Sequence, residues 1–133
     1  MTAEQKNDYI IQRMKYWRRK LLIDPNLKIT VKFVTGHEHE GDSPYAEVFL
    51  GNIHYGKCVI HFYERLFSEE PFKETADRTV FHELIHICLN DITSYASNMF
   101  DGDDGKQKEL ERLEETFVTR MERAFGGQDK ETK

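Results

Sequence analysis

His82-Glu83-Leu84-Ile85-His86 reads H-E-x-x-H inside a stretch whose neighbours predict a helix. A helix turns about 100° per residue, so side chains four apart lie one above the other on the same face. Both imidazoles can therefore share one metal ion. Glu83 follows the first histidine and comes within reach of a water on that ion. Two ligands and a general base from about two turns of helix form the set that zinc chemistry at a peptide bond requires. The flanks, Thr79-Val80-Phe81 and Ile87-Cys88-Leu89, are mostly apolar and predict a helix buried through the middle of the protein. Such a helix has little reason to carry two histidines and a carboxylate unless they are satisfied together, because unpaired buried polar groups are costly.

A hydrolytic zinc takes three protein ligands and keeps one position open for water. The extended pattern H-E-x-x-H-x-x-G-x-x-H is excluded, since Leu89 and Ile92 stand where Gly and His belong. The last predicted helix offers Glu109, Glu111, Glu114 and Glu115 instead. Two arguments choose among them differently. On a helical wheel Glu114 lies near the middle of the apolar face, among Leu110, Phe117, Val118 and Met121, where a carboxylate needs a partner. Glu115 has Thr119 one turn on, a small polar group able to orient a ligating histidine. Glu115 is taken as the third ligand and Glu114 as the alternate. His37 and His39 are rivals, but they sit in a polar loop from Gly36 to Pro44 with little to hold it in place.

The set His82-Glu83-x-x-His86, followed by a glutamate on a later helix, resembles the gluzincin metallopeptidases. In that family's pattern the ligand glutamate is followed three and four positions on by a small residue and a polar one, which Glu115, Val118 and Thr119 approximate. The larger enzymes carry an acid or an amide where Thr119 stands. The compact layout also resembles the short metallopeptidase-like proteins of bacteriophages and prophages. The resemblance covers about residues 27 to 125, and its specific part is H-E-x-x-H. It implies a minimal zincin-like fold, a peptide or protein substrate, and zinc held by His82, His86 and Glu115. It further implies a zinc-activated water whose proton Glu83 takes and passes to the leaving amine. A tyrosine or histidine donor across the cleft would complete the set, with His61, Tyr63 and Tyr95 as candidates.

The elements that must position these residues follow from periodicity. Ile10, Met14, Trp17 and Leu21 recur at helical spacing and predict a first helix over residues 3 to 22. Asp24-Pro25-Asn26 breaks it. Residues 27 to 34 alternate apolar and polar, and residues 45 to 50 and 57 to 63 are further strand candidates. These predict a small, mainly antiparallel, three-stranded sheet in an α+β fold. The third strand precedes the motif helix, and the resemblance puts such a strand at the cleft edge, where an extended peptide could pair with it. Ser68-Glu69-Glu70-Pro71 reads as a helix start, with the motif helix over residues 75 to 94. Asp101-Gly102-Asp103-Asp104-Gly105 lacks the spacing and closing Glu of a calcium loop and reads as a solvated acidic loop. A last helix over residues 106 to 125 would dock through Leu110, Leu113, Phe117, Val118, Met121 and Phe125. One domain over residues 1 to 125 with a disordered tail over residues 126 to 133 is the expected organisation.

Composition narrows the function classes. The net charge of -5 over 133 residues argues against a general nucleic-acid binder. Lys15, Arg18, Arg19 and Lys20 then read as cations suited to a helix C-terminus rather than a phosphate patch. No stretch approaches the ~20 apolar residues of a membrane span. The polar N-terminus lacks an apolar signal core. Cys58 and Cys88 both sit in apolar runs and are expected as buried, unpaired thiols in a reducing cytoplasm. The competing reading is a non-catalytic zinc-binding regulatory module on the same fold.

Overall fold

A computed structural model describes residues 1–36 and 44–126. His37, His39 and the tail from Gly127 lie outside the described residues. Helix α1 spans Ala3–Lys20, and a capping box between Thr2 and Gln5 opens it. Strands β1 (Lys28–Val34), β2 (Ala46–Phe49) and β3 (Lys57–Tyr63) follow. Then come a short helix α2 (Glu64–Phe67), the long motif helix α3 (Phe72–Met99) and α4 (Asp104–Met121), which runs on as a π turn over Glu122–Gly126. The architecture is α+β, as expected.

The strand order is β1-β3-β2. β3 pairs with β2 antiparallel but with β1 parallel, over seven residue pairs from Lys28–Lys57 to Val34–Tyr63. The expected mainly antiparallel sheet is therefore a mixed one. Residues 35–56 explain it: the chain crosses to the far edge as β2 before returning through the middle, and so long a connection permits a parallel neighbour. This also corrects the place of β3. It is the central strand, and β2 is the edge strand beside α3.

Among the described residues, the two long helices α1 and α3 pack on one sheet face. Ile29, Val31, Phe33, Ala46, Val48, Cys58, Ile60 and Phe62 alternate inward onto Ile10, Met14 and Trp17 of α1 and Val80, Phe81 and Leu84 of α3. Strand alternation leaves Lys28, Lys32, Glu47, Phe49, Lys57 and His61 on the opposite face.

α3 is longer than its sequence signal, starting at Phe72 and reaching Met99. Ser68 does not start it; its hydroxyl donates to the Arg65 carbonyl and closes α2. α1 is fastened to α3 through Asp77, which is buried. Its carboxylate accepts from the buried Arg13 guanidinium and, at 2.9 Å, from Trp17 Nε1. Trp17 also meets Phe81 edge-on, with ring centroids 4.8 Å apart.

Both cysteines are free thiols, but only Cys58 is buried. The expectation for Cys88 fails because Ile87, Cys88 and Leu89 span about 200° of a helix, so one of them must face away from the core. Among the described residues no helix is long and apolar enough to cross a membrane.

Asp77 makes a direct test of the α1–α3 junction. Asp77→Ala leaves the Arg13 charge buried without its carboxylate, so unfolding in denaturant should show a loss of about 3 kcal/mol or more. A loss below about 1 kcal/mol, the scale of an exposed pair, would mean the junction rests on apolar contacts alone.

Candidate metal centre

α4 lies antiparallel to α3. Ser97 bonds Gln107, His86 meets Glu114 and Glu115, and His82 meets Glu122, so rising numbers on one helix match falling numbers on the other. The expected apolar stripe docks only in part: Val118 is buried, Met121 packs against the core, and Leu110 faces α3. Leu113 and Phe117, with Phe125 of the π turn, are largely exposed. The face turned to α3 carries Glu114 and Glu115, then Val118 and Glu122, one and two turns further on.

His82, His86 and Glu115 come together and could hold a metal ion. The two Nε2 atoms are 3.3 Å apart. One Glu115 oxygen is 3.0 Å from His86 Nε2 and the other 3.6 Å from His82 Nε2. Neighbouring ligands on a tetrahedral ion with bonds of about 2.0–2.2 Å are roughly 3.3–3.5 Å apart, so the spacing fits such an ion. Two imidazole nitrogens and a carboxylate oxygen drawn this close also present lone pairs to one another. That arrangement is favourable only around a cation or a shared proton.

The outer ring nitrogens are held as well. His86 Nδ1 is 2.6 Å from Glu114 and His82 Nδ1 is 3.0 Å from Glu122. A neutral imidazole that donates through Nδ1 keeps its Nε2 lone pair for a metal, so these carboxylates fix both tautomer and ring orientation. Glu114, the alternate ligand, thus reaches the site at the other nitrogen. Glu122 also takes the orienting place assigned to Thr119. The signal for Glu122 is its spacing: it lies seven residues after Glu115, two turns along the same face. Burial disfavours charging His82, but the Glu122 hydrogen bond and the Glu83 and Glu115 charges outweigh it, so its pKa is raised.

Glu83 is buried beside this cluster, on the sheet side of α3. Its carboxylate accepts the Val48 N–H of the edge strand. Burial pushes its pKa up to about 8, opposed by His82 and reinforced by Glu115 and Glu47. An open cleft of about 400 Å³ runs between β2 and the cluster, lined by Pro44, Ala46, Glu47, Val48, Leu50, His82, Glu83, His86 and Glu115. A larger cavity of about 500 Å³, lined by Leu21, Ile23, Leu27, Ile53, Ile87 and Cys88 among others, has no histidine or glutamate among its described wall residues.

The proposed donors fall in different places. Tyr63 is buried at the end of β3, and its hydroxyl donates to Glu47 at 2.7 Å. Its pKa is pushed up to about 12 by burial, by that bond, and by the Glu47 and Glu83 charges. His61 packs against Phe49, with centroids 4.7 Å apart, on the sheet face away from α1 and α3. Tyr95 is exposed further along α3 and does not line the cleft. Comparisons of the chain with family models, curated proteins and solved structures find no match.

Glu83 carries a stability cost that can be measured. In the unfolded chain its carboxyl titrates near the ordinary 4.5, and in the fold near 8. The folded state therefore loses stability as pH rises from about 4.5 through 8, and keeps it below 4.5. In chelator-treated protein, Glu83→Gln should be the more stable form at pH 8, on the order of 2–4 kcal/mol, with the gap closing towards pH 4.5. Thermal melts across that range check it; a gap that widens towards acid has the wrong sign.

Proposed function

We propose that the chain is a zinc-dependent metallopeptidase. One observation carries this reading: two imidazole Nε2 atoms and the Glu115 carboxylate converge beside a buried glutamate, under the edge strand of a sheet. His82, His86 and Glu115 are the ligands, a borderline-soft nitrogen and oxygen set suited to zinc, with one position left open. When bound, the ion supplies Lewis acidity that acidifies a water to a pKa of about 7 and polarises a carbonyl.

The chain's own residues do the rest. Glu114 and Glu122 hold the two rings so that both Nε2 atoms point at one spot. Glu83, fixed by the Val48 N–H, accepts the water's proton and hands it to the departing amine. The edge strand positions the substrate. Tyr63 N–H donates to the Tyr45 carbonyl, so Tyr45, Glu47 and Phe49 turn their backbone groups to β3. Ala46 turns its N–H and carbonyl outward to the cleft and Val48 its carbonyl, the Val48 N–H being taken by Glu83. An extended peptide can add to that edge as a fourth strand. This moves the substrate-pairing role from β3, which is central, to β2. The same reading places the protein in a reducing cytoplasm, in keeping with its two free thiols.

Purified protein should carry about one zinc per chain by elemental analysis, and His86→Ala should lose it. Glu115→Ala should weaken zinc more than Glu114→Ala or Glu122→Ala, which should each cost about 10–100-fold as orienting groups do. If Glu114→Ala strips the metal while Glu115→Ala keeps it, the two glutamates have exchanged roles.

Glu83→Gln separates base from ligand. It should retain zinc and abolish cleavage of a mixed peptide pool followed by mass spectrometry. Stoichiometric zinc in a wild type that cleaves nothing would favour the non-catalytic module.

A further inference from the structure

Glu83 and Glu115 both have tasks in the proposed reaction. Glu47, the third carboxylate in the cleft wall, has none. It stands on the edge strand, positioned through the 2.7 Å bond from the buried Tyr63 hydroxyl. Register places it in a cross-strand row that reads Lys32, His61, Glu47. The next row on the same face reads Thr30, Val59, Phe49, and Phe49 is 44% exposed. Both rows end at the open edge of β2, about 4.8 Å from where a fourth strand would lie.

A peptide added there extends both rows. Side chains directly opposite on one face of a sheet interact, and opposite charges attract while like charges repel. We infer that this edge selects an extended peptide with a cationic side chain opposite Glu47 and an apolar one opposite Phe49, two positions apart on the same face. The inference rests on the metallopeptidase reading and adds the substrate class to it. The intervening residue points to the opposite face, towards Ala46, Val48 and the metal centre, so its identity is set by different contacts. Glu47 acts here as a specificity residue, with Tyr63 as its positioning partner.

The test uses the full zinc-loaded chain and short peptides ending in a hydroxamate, which grips the metal whatever the side chains are. Acetyl-Lys-Gly-Leu and acetyl-Leu-Gly-Lys hydroxamates cover both strand directions, and their counterparts carry Glu for Lys. Binding is read by calorimetry. In one of the two orders the lysine peptide should bind about tenfold tighter than its glutamate counterpart. Glu47→Lys should reverse that order, and the milder Glu47→Gln should flatten it should the lysine variant fold poorly. Equal binding of lysine and glutamate peptides in both orders overturns the inference and leaves the metal site standing. So does a lysine preference that survives both substitutions. Failure of every hydroxamate to bind a fully zinc-loaded chain removes the peptidase reading and this inference together.

Discussion

The whole arrangement depends on making α3 both a core helix and a carrier of charge. Asp77, Thr79, Glu83 and Asn90 all lie on it with less than a tenth of their surface exposed. A buried polar group that loses its partner costs on the order of 1–3 kcal/mol, and a charge costs more. Two of the four are answered by other elements and two within α3 itself. α1 brings Arg13 and Trp17 to Asp77, and β2 brings the Val48 N–H to Glu83. Thr79 donates to the Thr75 carbonyl one turn back, and Asn90 accepts from Ser94 one turn on. Among the described residues no buried side-chain nitrogen or oxygen lacks a partner. Asp77 and Glu83 thus help the apolar residues of α3 to fix α1 and β2 against it.

Much of this was legible in the sequence wherever a short-range rule applied. The four-residue spacing of His82 and His86 specifies a shared face on any helix, and the stripe Ile10, Met14, Trp17 specifies the buried side of α1. The strands could be read from alternation, but their order could not. Which neighbour β3 takes on each side depends on how residues 35–56 cross the sheet, and no local pattern records that path. The exposure of Cys88 was hidden for a related reason: an apolar run shows that some of its residues are buried, not which.

α4 shows a conflict between two patterns on one helix. Leu113, Phe117 and Phe125 suggest one docking face, while Glu114, Glu115 and Glu122 lie on another. The docked face carries the three glutamates together with Val118 and Met121, and leaves Leu113, Phe117 and Phe125 outside. Two imidazoles fixed on α3 are strong, directional partners for carboxylates, whereas leucine and phenylalanine can remain partly wet at modest cost. Glu114 and Glu115 are not alternatives for one place. Both are used, because an imidazole has two nitrogens and each demands its own partner.

That choice of face has a mechanical consequence. With Val118 as its buried side chain, α4 meets α3 largely through groups that could also hold a metal ion. An ion bound by ligands from both helices recognises only the docked arrangement and draws the chain into it by mass action. Were an ion held by His82, His86 and Glu115, its release and the separation of the last helix would be one event rather than two. The short connection Phe100–Asp103 would serve as the hinge, and amide exchange in α4 would report the free concentration of metal.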